Sequence, residues 1–123
     1  MFDLFKKREI IIRNKQELID TLTTISALLN ESDHVAQAAA VDKPLRYLQQ
    51  DQIPDFLKAL KTVDIWGGSG SAWEVGVFSS DQSQKEFQKM FIRLAEQLKN
   101  TGIKIKSADQ IANLFKQELR RNK

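Results

Sequence analysis

Apolar residues recur at helical intervals along most of this chain, and one glycine-rich stretch interrupts them. Leu18, Leu22, Ile25 and Leu29 are spaced four, three and four apart, and Ile19 and Leu28 widen that stripe enough to face a globular core. Asn14 precedes the stripe as a candidate N-cap. Glu17, three residues on, is placed to reach back to it, so "NKQELIDTLTTISALL" predicts a helix opened by a capping box. "NESD" closes this element.

From His34 to Val41 the chain is alanine-rich and favours helix. Pro44 has no N–H and disfavours helical geometry at Lys43, which predicts a break or kink there, with Asp42 capping a new turn that carries Leu45, Tyr47 and Leu48. Pro54 suits the first turn of a short helix with Phe56, Leu57, Leu60 and Val63 inward. Further on, Phe87, Phe91, Leu94 and Leu98 form one stripe with Met90 beside it, and Asn100 and Gly102 mark its stop. A last helix is expected from Ser107, burying Ala108, Ile111, Ala112, Phe115 and Leu119.

Strand material is scarce: "EIII", "AWEVGVF" and "IKIK". In the middle segment Trp73, Val75 and Val77 alternate with Ala72, Glu74 and Gly76, giving one apolar face and one small or charged face. The pattern as a whole predicts a mainly α protein, a compact helical domain of four to six helices with a small two- or three-strand β element. No repeat or linker divides it, so residues 1–123 are read as a single domain.

Composition narrows the chemistry. The chain has no cysteine, which removes disulfides, thiolate metal sites and cysteine nucleophiles together. "MFDLFKKREIII" puts its charges after two phenylalanines, the reverse of a secretory signal, and predicts a cytoplasmic protein. The net charge of +3 is unevenly distributed. Residues 1–15 hold five basic and two acidic groups and residues 99–123 seven and two, which leaves seven basic and twelve acidic groups in the middle. The basic ends offer cations without a recognisable nucleic-acid reader, and Phe2, Leu4 and Phe5 beside Lys6, Lys7 and Arg8 are short for an interfacial anchor. Nucleic acid and membrane are therefore the disfavoured partners.

The stretch "WGGSGSAWEVGVF" holds the candidate chemistry. A phosphate-binding loop of Walker type needs a lysine after its second glycine, and a dinucleotide loop needs a further glycine three residues after its inner pair. Ser71, Ala72 and Trp73 follow Gly70 instead, so neither pattern is met. Two readings stay open. In one, Gly67 or Gly68 ends a helix and Gly70 turns the chain into a strand, with Trp66 and Trp73 as packing. In the other, Trp66, Gly67, Gly68, Ser69, Gly70, Ser71, Trp73 and Glu74 form a surface for a ligand or partner, with Glu74 held by loop N–H groups. His34 is the sole histidine and lies far in sequence from Ser69 and Ser71, while carboxylates such as Asp64 and Glu74, ten residues apart, stay open as a site. No catalytic set, cofactor site or metal site is assigned.

The run "VDIWGGSGSAWEVGVF" followed by "FQKMFIRLAEQL" resembles a group of small bacterial proteins carrying an aromatic-Gly-Gly-x-Gly-Ser signature, matched by Trp66, Gly67, Gly68, Gly70 and Ser71 over about the C-terminal half. Some relatives carry Met in place of Ser69 and an Asn-Asp pair in place of Trp73-Glu74. In size and type the chain is also similar to immunity proteins, which neutralise toxins delivered by neighbouring cells. The resemblance implies a non-enzymatic, cytosolic protein-binding domain whose partner is a toxin or another protein. Positive net charge argues against an inhibitor of a basic nuclease, and the acidic middle argues the other way. The competing classes are a small-ligand or enzymatic site on the loop, using Ser69, Ser71 and Glu74, and binding of nucleic acid or an anionic surface through the basic termini.

Overall fold

The computed structural model describes residues 12, 14–66 and 78–121, with the backbone alone at 63 and 64. Among the described residues the helices are, in chain order, α1 (Lys15–Glu31), α2 (Val35–Gln49), α3 (Ile53–Leu60), α4 (Val63–Trp66), α5 (Asp81–Asn100) and α6 (Lys106–Arg121). Five are of eight residues or more, and α4 is a single turn. Helix α1 packs against α2 on one side and α5 on the other; α3 packs on α2, and α6 on α5. The short α4 touches both α2 and α6, so it closes the array around one core.

The stripes read from the sequence are the faces that meet there. Leu18, Leu22, Ile25 and Leu29 of α1 and Phe87, Phe91, Leu94 and Leu98 of α5 are each at most 1% exposed. Each such side chain contributes about 1.5–3 kcal/mol by leaving water. Phe56 and Leu60 of α3 and Ala108, Ile111, Ala112 and Phe115 of α6 are buried as expected, with Leu119 half-buried. Pro54 stands in the first turn of α3.

Three helices end in the same way. Asp33, Asp51 and Gly102 have left-handed φ of 66°, 59° and 85°. After each of them the next N–H returns to the carbonyl five residues back: His34 donates to Leu29, Gln52 to Tyr47 and Ile103 to Leu98, at 2.8–2.9 Å. The left-handed residue itself donates three residues back, which completes a Schellman ending that satisfies otherwise orphaned carbonyls.

Three expectations need correction. The small two- or three-strand β element is absent among the described residues: Ile103 to Ile105 is irregular and Lys106 already opens α6. Ile103, the residue after the left-handed Gly102, is buried in the core and Ile105 packs against it half-buried, so the alternation needs no paired strand. "EIII" and "AWEVGVF" lie outside the described residues except for Ile12 and Phe78.

Pro44 does not break the chain either; it sits within a continuous α2, with its ring buried alongside Val41, Leu45 and Leu48. Proline in a helix interior costs about 3 kcal/mol, a cost that burial of the ring offsets here. Asn14, lastly, forms no side-chain cap. Its Nδ2 donates to the Gln97 carbonyl at 3.1 Å and its Oδ1 accepts from the Thr101 hydroxyl, so its amide pins the start of α1 to the end of α5.

Candidate functional site

Both ends of the glycine-rich stretch are built into the core. Trp66, the last residue of α4, is 7% exposed, and its indole N–H donates to the carbonyl of Leu60 at 2.7 Å. That carbonyl belongs to the last turn of α3, where no helical donor is available, so the tryptophan completes the helix end that precedes it. The indole stands edge-on to Phe91, with centroids 5.7 Å apart and planes at 88°. Phe91 in turn packs on Phe87 and Phe115 at centroid distances of 4.8 and 6.0 Å. At the far end Phe78 lies 4.7 Å from Phe87 and meets the ring of His34 at 5.8 Å.

A polar latch follows. Glu31, at the C-terminus of α1, accepts hydrogen bonds from the hydroxyls of Ser79 and Ser83 at 2.8 and 3.0 Å. The Ser79 N–H donates to the Ser32 hydroxyl, while the Ser80 hydroxyl caps α5 by accepting from the Ser83 N–H, each at 3.1 Å. The entry to the stretch is therefore held by aromatic packing and its exit by rings and hydroxyls. Of the residues singled out from sequence, the structure places Trp66; Gly67, Gly68, Ser69, Gly70, Ser71, Trp73 and Glu74 lie outside the described residues. His34 sits at the start of α2 beside Phe78, which puts it next to the exit of the stretch.

Sequence reasoning missed a second feature. Helices α1 and α5 leave between them a groove of about 420 Å³, lined by Glu17, Asp20, Thr21 and Thr24 from α1 and by Met90, Arg93, Glu96, Gln97 and Asn100 from α5. Gln97 is 9% exposed, and its Oε1 accepts no hydrogen bond. The signal was available in the sequence: Gln97 falls three residues after Leu94 and one before Leu98, a polar side chain at a core position. Gln88, buried on the same helix, is by contrast satisfied, donating to Glu118 at 2.6 Å.

No group of three His, Asp or Glu side chains among the described residues is placed to hold a metal ion. None of the described helices is long and apolar enough to cross a membrane. No family model, curated protein or solved structure matches the chain.

Proposed function

We propose that this chain is a non-enzymatic protein-binding domain of the immunity type, acting in the cytosol and presenting residues 67–77 to a toxin or another partner protein. The observation that carries the reading is the double anchorage of that stretch: Trp66 and Phe78 converge on Phe87 and Phe91, and Glu31 holds the serines that follow. A segment delivered from two fixed ends loses less entropy on binding than a free one, and rigid scaffolds are where binding loops are carried. A small helical domain of this kind, with its acidic charge in the middle of the chain, suits a macromolecular partner.

The test is capture of partners by the tagged full chain from its native cell, with nuclease treatment and a high-salt wash, read by mass spectrometry. A stoichiometric protein is expected, and it should be reduced by Ser71→Ala and Glu74→Gln at unchanged thermal stability. Recovery of nucleic acid only, or of nothing, overturns the reading.

A further inference from the structure

Another groove opens at the turn from α5 into α6, around the segment "IKIK" that the fold uses without a strand. It measures about 350 Å³, and its floor is aliphatic: Leu98 of α5, Ile103 and Ile105 of the connection and Ala108 of α6. Leu98 and Ile103 are 1% and 4% exposed, so these side chains form a recess and do not project from it. Gly102 stands at its edge, where a Cβ would meet nothing within 4 Å, which leaves that side open.

The rim carries the opposite chemistry. Lys99, Lys104 and Lys106 line it, all exposed, against the single carboxylate of Asp109. None of the three lysines pairs with an acid within 4.0 Å among the described residues, where the ion pair found is Lys15 with Asp51. The surroundings add to the field, since residues 99–123 hold seven basic and two acidic groups. A recessed apolar floor inside a cationic rim is complementary to a projecting apolar side chain with carboxylates beside it. It does not suit a bilayer, because an interfacial anchor has to push its own apolar side chains outward. Nor does it suit a nucleic acid, because the floor offers no aromatic platform on which a base could stack. The volume lies near the small end of the roughly 300–1,000 Å³ spanned by ligand pockets, room for one large side chain rather than for a cofactor.

We propose that this groove docks an acidic segment of a partner protein, with one leucine- or phenylalanine-sized side chain seated over Leu98, Ile103 and Ile105 and flanking carboxylates on Lys99, Lys104 and Lys106. The alternation of "IKIK" then serves two ends: its isoleucines close the core and floor the groove, and its lysines stand where an acidic chain passes. The source of the segment rests on the protein-binding reading above, whereas the chemistry of the groove is open to a separate test.

The experiment is an NMR titration of the isotope-labelled full chain with the blocked peptide Asp-Glu-Leu-Glu-Asp. The same peptide with glycine in place of leucine, the basic peptide Lys-Lys-Leu-Lys-Lys and octanoate are the other arms. Saturable shifts are expected at residues 98–109 with the acidic leucine peptide, affinity about fivefold weaker with the glycine peptide, and no shifts with the basic one. Binding should weaken with salt. Lys104→Glu with Lys106→Glu should weaken it about tenfold at unchanged thermal stability, since both side chains are exposed and in no ion pair. Lys58→Glu with Lys61→Glu makes the same change in net charge at the end of α3 and should weaken binding by less than about twofold. Absence of saturable shifts, equal binding of the glycine peptide, or an equal effect of the two lysine pairs would overturn the docking groove. Tighter binding of octanoate than of the leucine peptide would overturn its assignment to a protein segment. A failed capture experiment with an intact titration would sink the function proposed above and leave the groove standing.

Discussion

Asn14 offers the sharpest test of how this fold is held together, because two physical accounts of the same residue predict opposite signs. Were it an ordinary N-cap, Asn14→Asp would be neutral, or stabilising by about 0.3–1 kcal/mol, since aspartate caps equally well and its charge favours a helix N-terminus. The structure instead uses the amide as a pin: Nδ2 donates to the Gln97 carbonyl, and Oδ1 accepts from the Thr101 hydroxyl. A carboxylate cannot donate, so the bond to Gln97 is lost and a negative oxygen is turned toward a carbonyl. Losing one part-buried hydrogen bond costs about 1 kcal/mol, and adding the misplaced charge brings the total to about 2 kcal/mol. For a chain of 123 residues that lowers Tm by about 6–10 °C.

The pH dependence has a definite direction. Facing a carbonyl, the introduced carboxyl is held above its unfolded pKa of about 4, so the variant loses no stability to ionisation below that pH. The deficit then grows as pH rises through the folded value. Denaturant melts of the wild type and Asn14→Asp at pH 3.5 and pH 7, with the Asn14→Ala/Thr101→Val cycle, would measure this. The cycle should return about 1 kcal/mol of coupling. If Asn14→Asp is as stable as the wild type at pH 7, the pin is not a structural contact and the capping account stands.

Further outcomes follow from the helix endings and the aromatic anchor. Asp33 holds a left-handed φ of 66° where glycine carries no steric penalty, so Asp33→Gly should stabilise the protein by about 0.5–1 kcal/mol in denaturant melts. At Gly102 a Cβ would meet nothing within 4 Å, so Gly102→Ala should cost about 1–2 kcal/mol from backbone conformation alone, with no repacking visible in NMR shifts of neighbouring side chains. Trp66→Phe keeps the ring contact with Phe91 and removes the donor to the Leu60 carbonyl, so it should cost about 1–2 kcal/mol. Hydrogen exchange should quicken around the end of α3 in that variant, and unchanged exchange there would count against the anchor.

What was legible in the chain was whatever depends on period alone. The four-three-four spacing from Leu18 to Leu29 and the phenylalanine stripe of α5 are core faces because a helix allows no other placement of those residues. Pro54 and Gly102 were legible for a related reason: each satisfies a local backbone demand. The misreadings came from residues whose roles are set by partners distant in sequence. Asn14 had the chemistry of a cap, and its hydrogen-bond partners lie 83 and 87 residues away. Pro44 had the chemistry of a breaker, and tertiary burial overrode it. Gln97 had a visible signal, polarity on an apolar stripe, whose place beside a groove is fixed only when α1 supplies the opposing wall. Within the glycine-rich stretch, Trp66 alone can be compared with its sequence reading; its indole both packs and closes a helix end.

The seam between α1 and α5 also bears on the order in which the molecule assembles. Its two fastenings close loops of different length: Glu31 meets Ser79 and Ser83 across 48 and 52 residues, whereas Asn14 meets Gln97 and Thr101 across 83 and 87. As independent closures they differ by only about 0.5 kcal/mol of chain entropy, but they are not independent. Once the Glu31 end is joined, each further turn of the antiparallel pair is brought together across a few residues of helix already formed. Chain entropy alone therefore favours closure from the latch toward the pin. The chain between Glu31 and Ser79 carries α2, α3, α4 and the glycine-rich stretch, so all four have to be gathered in before that first closure is made.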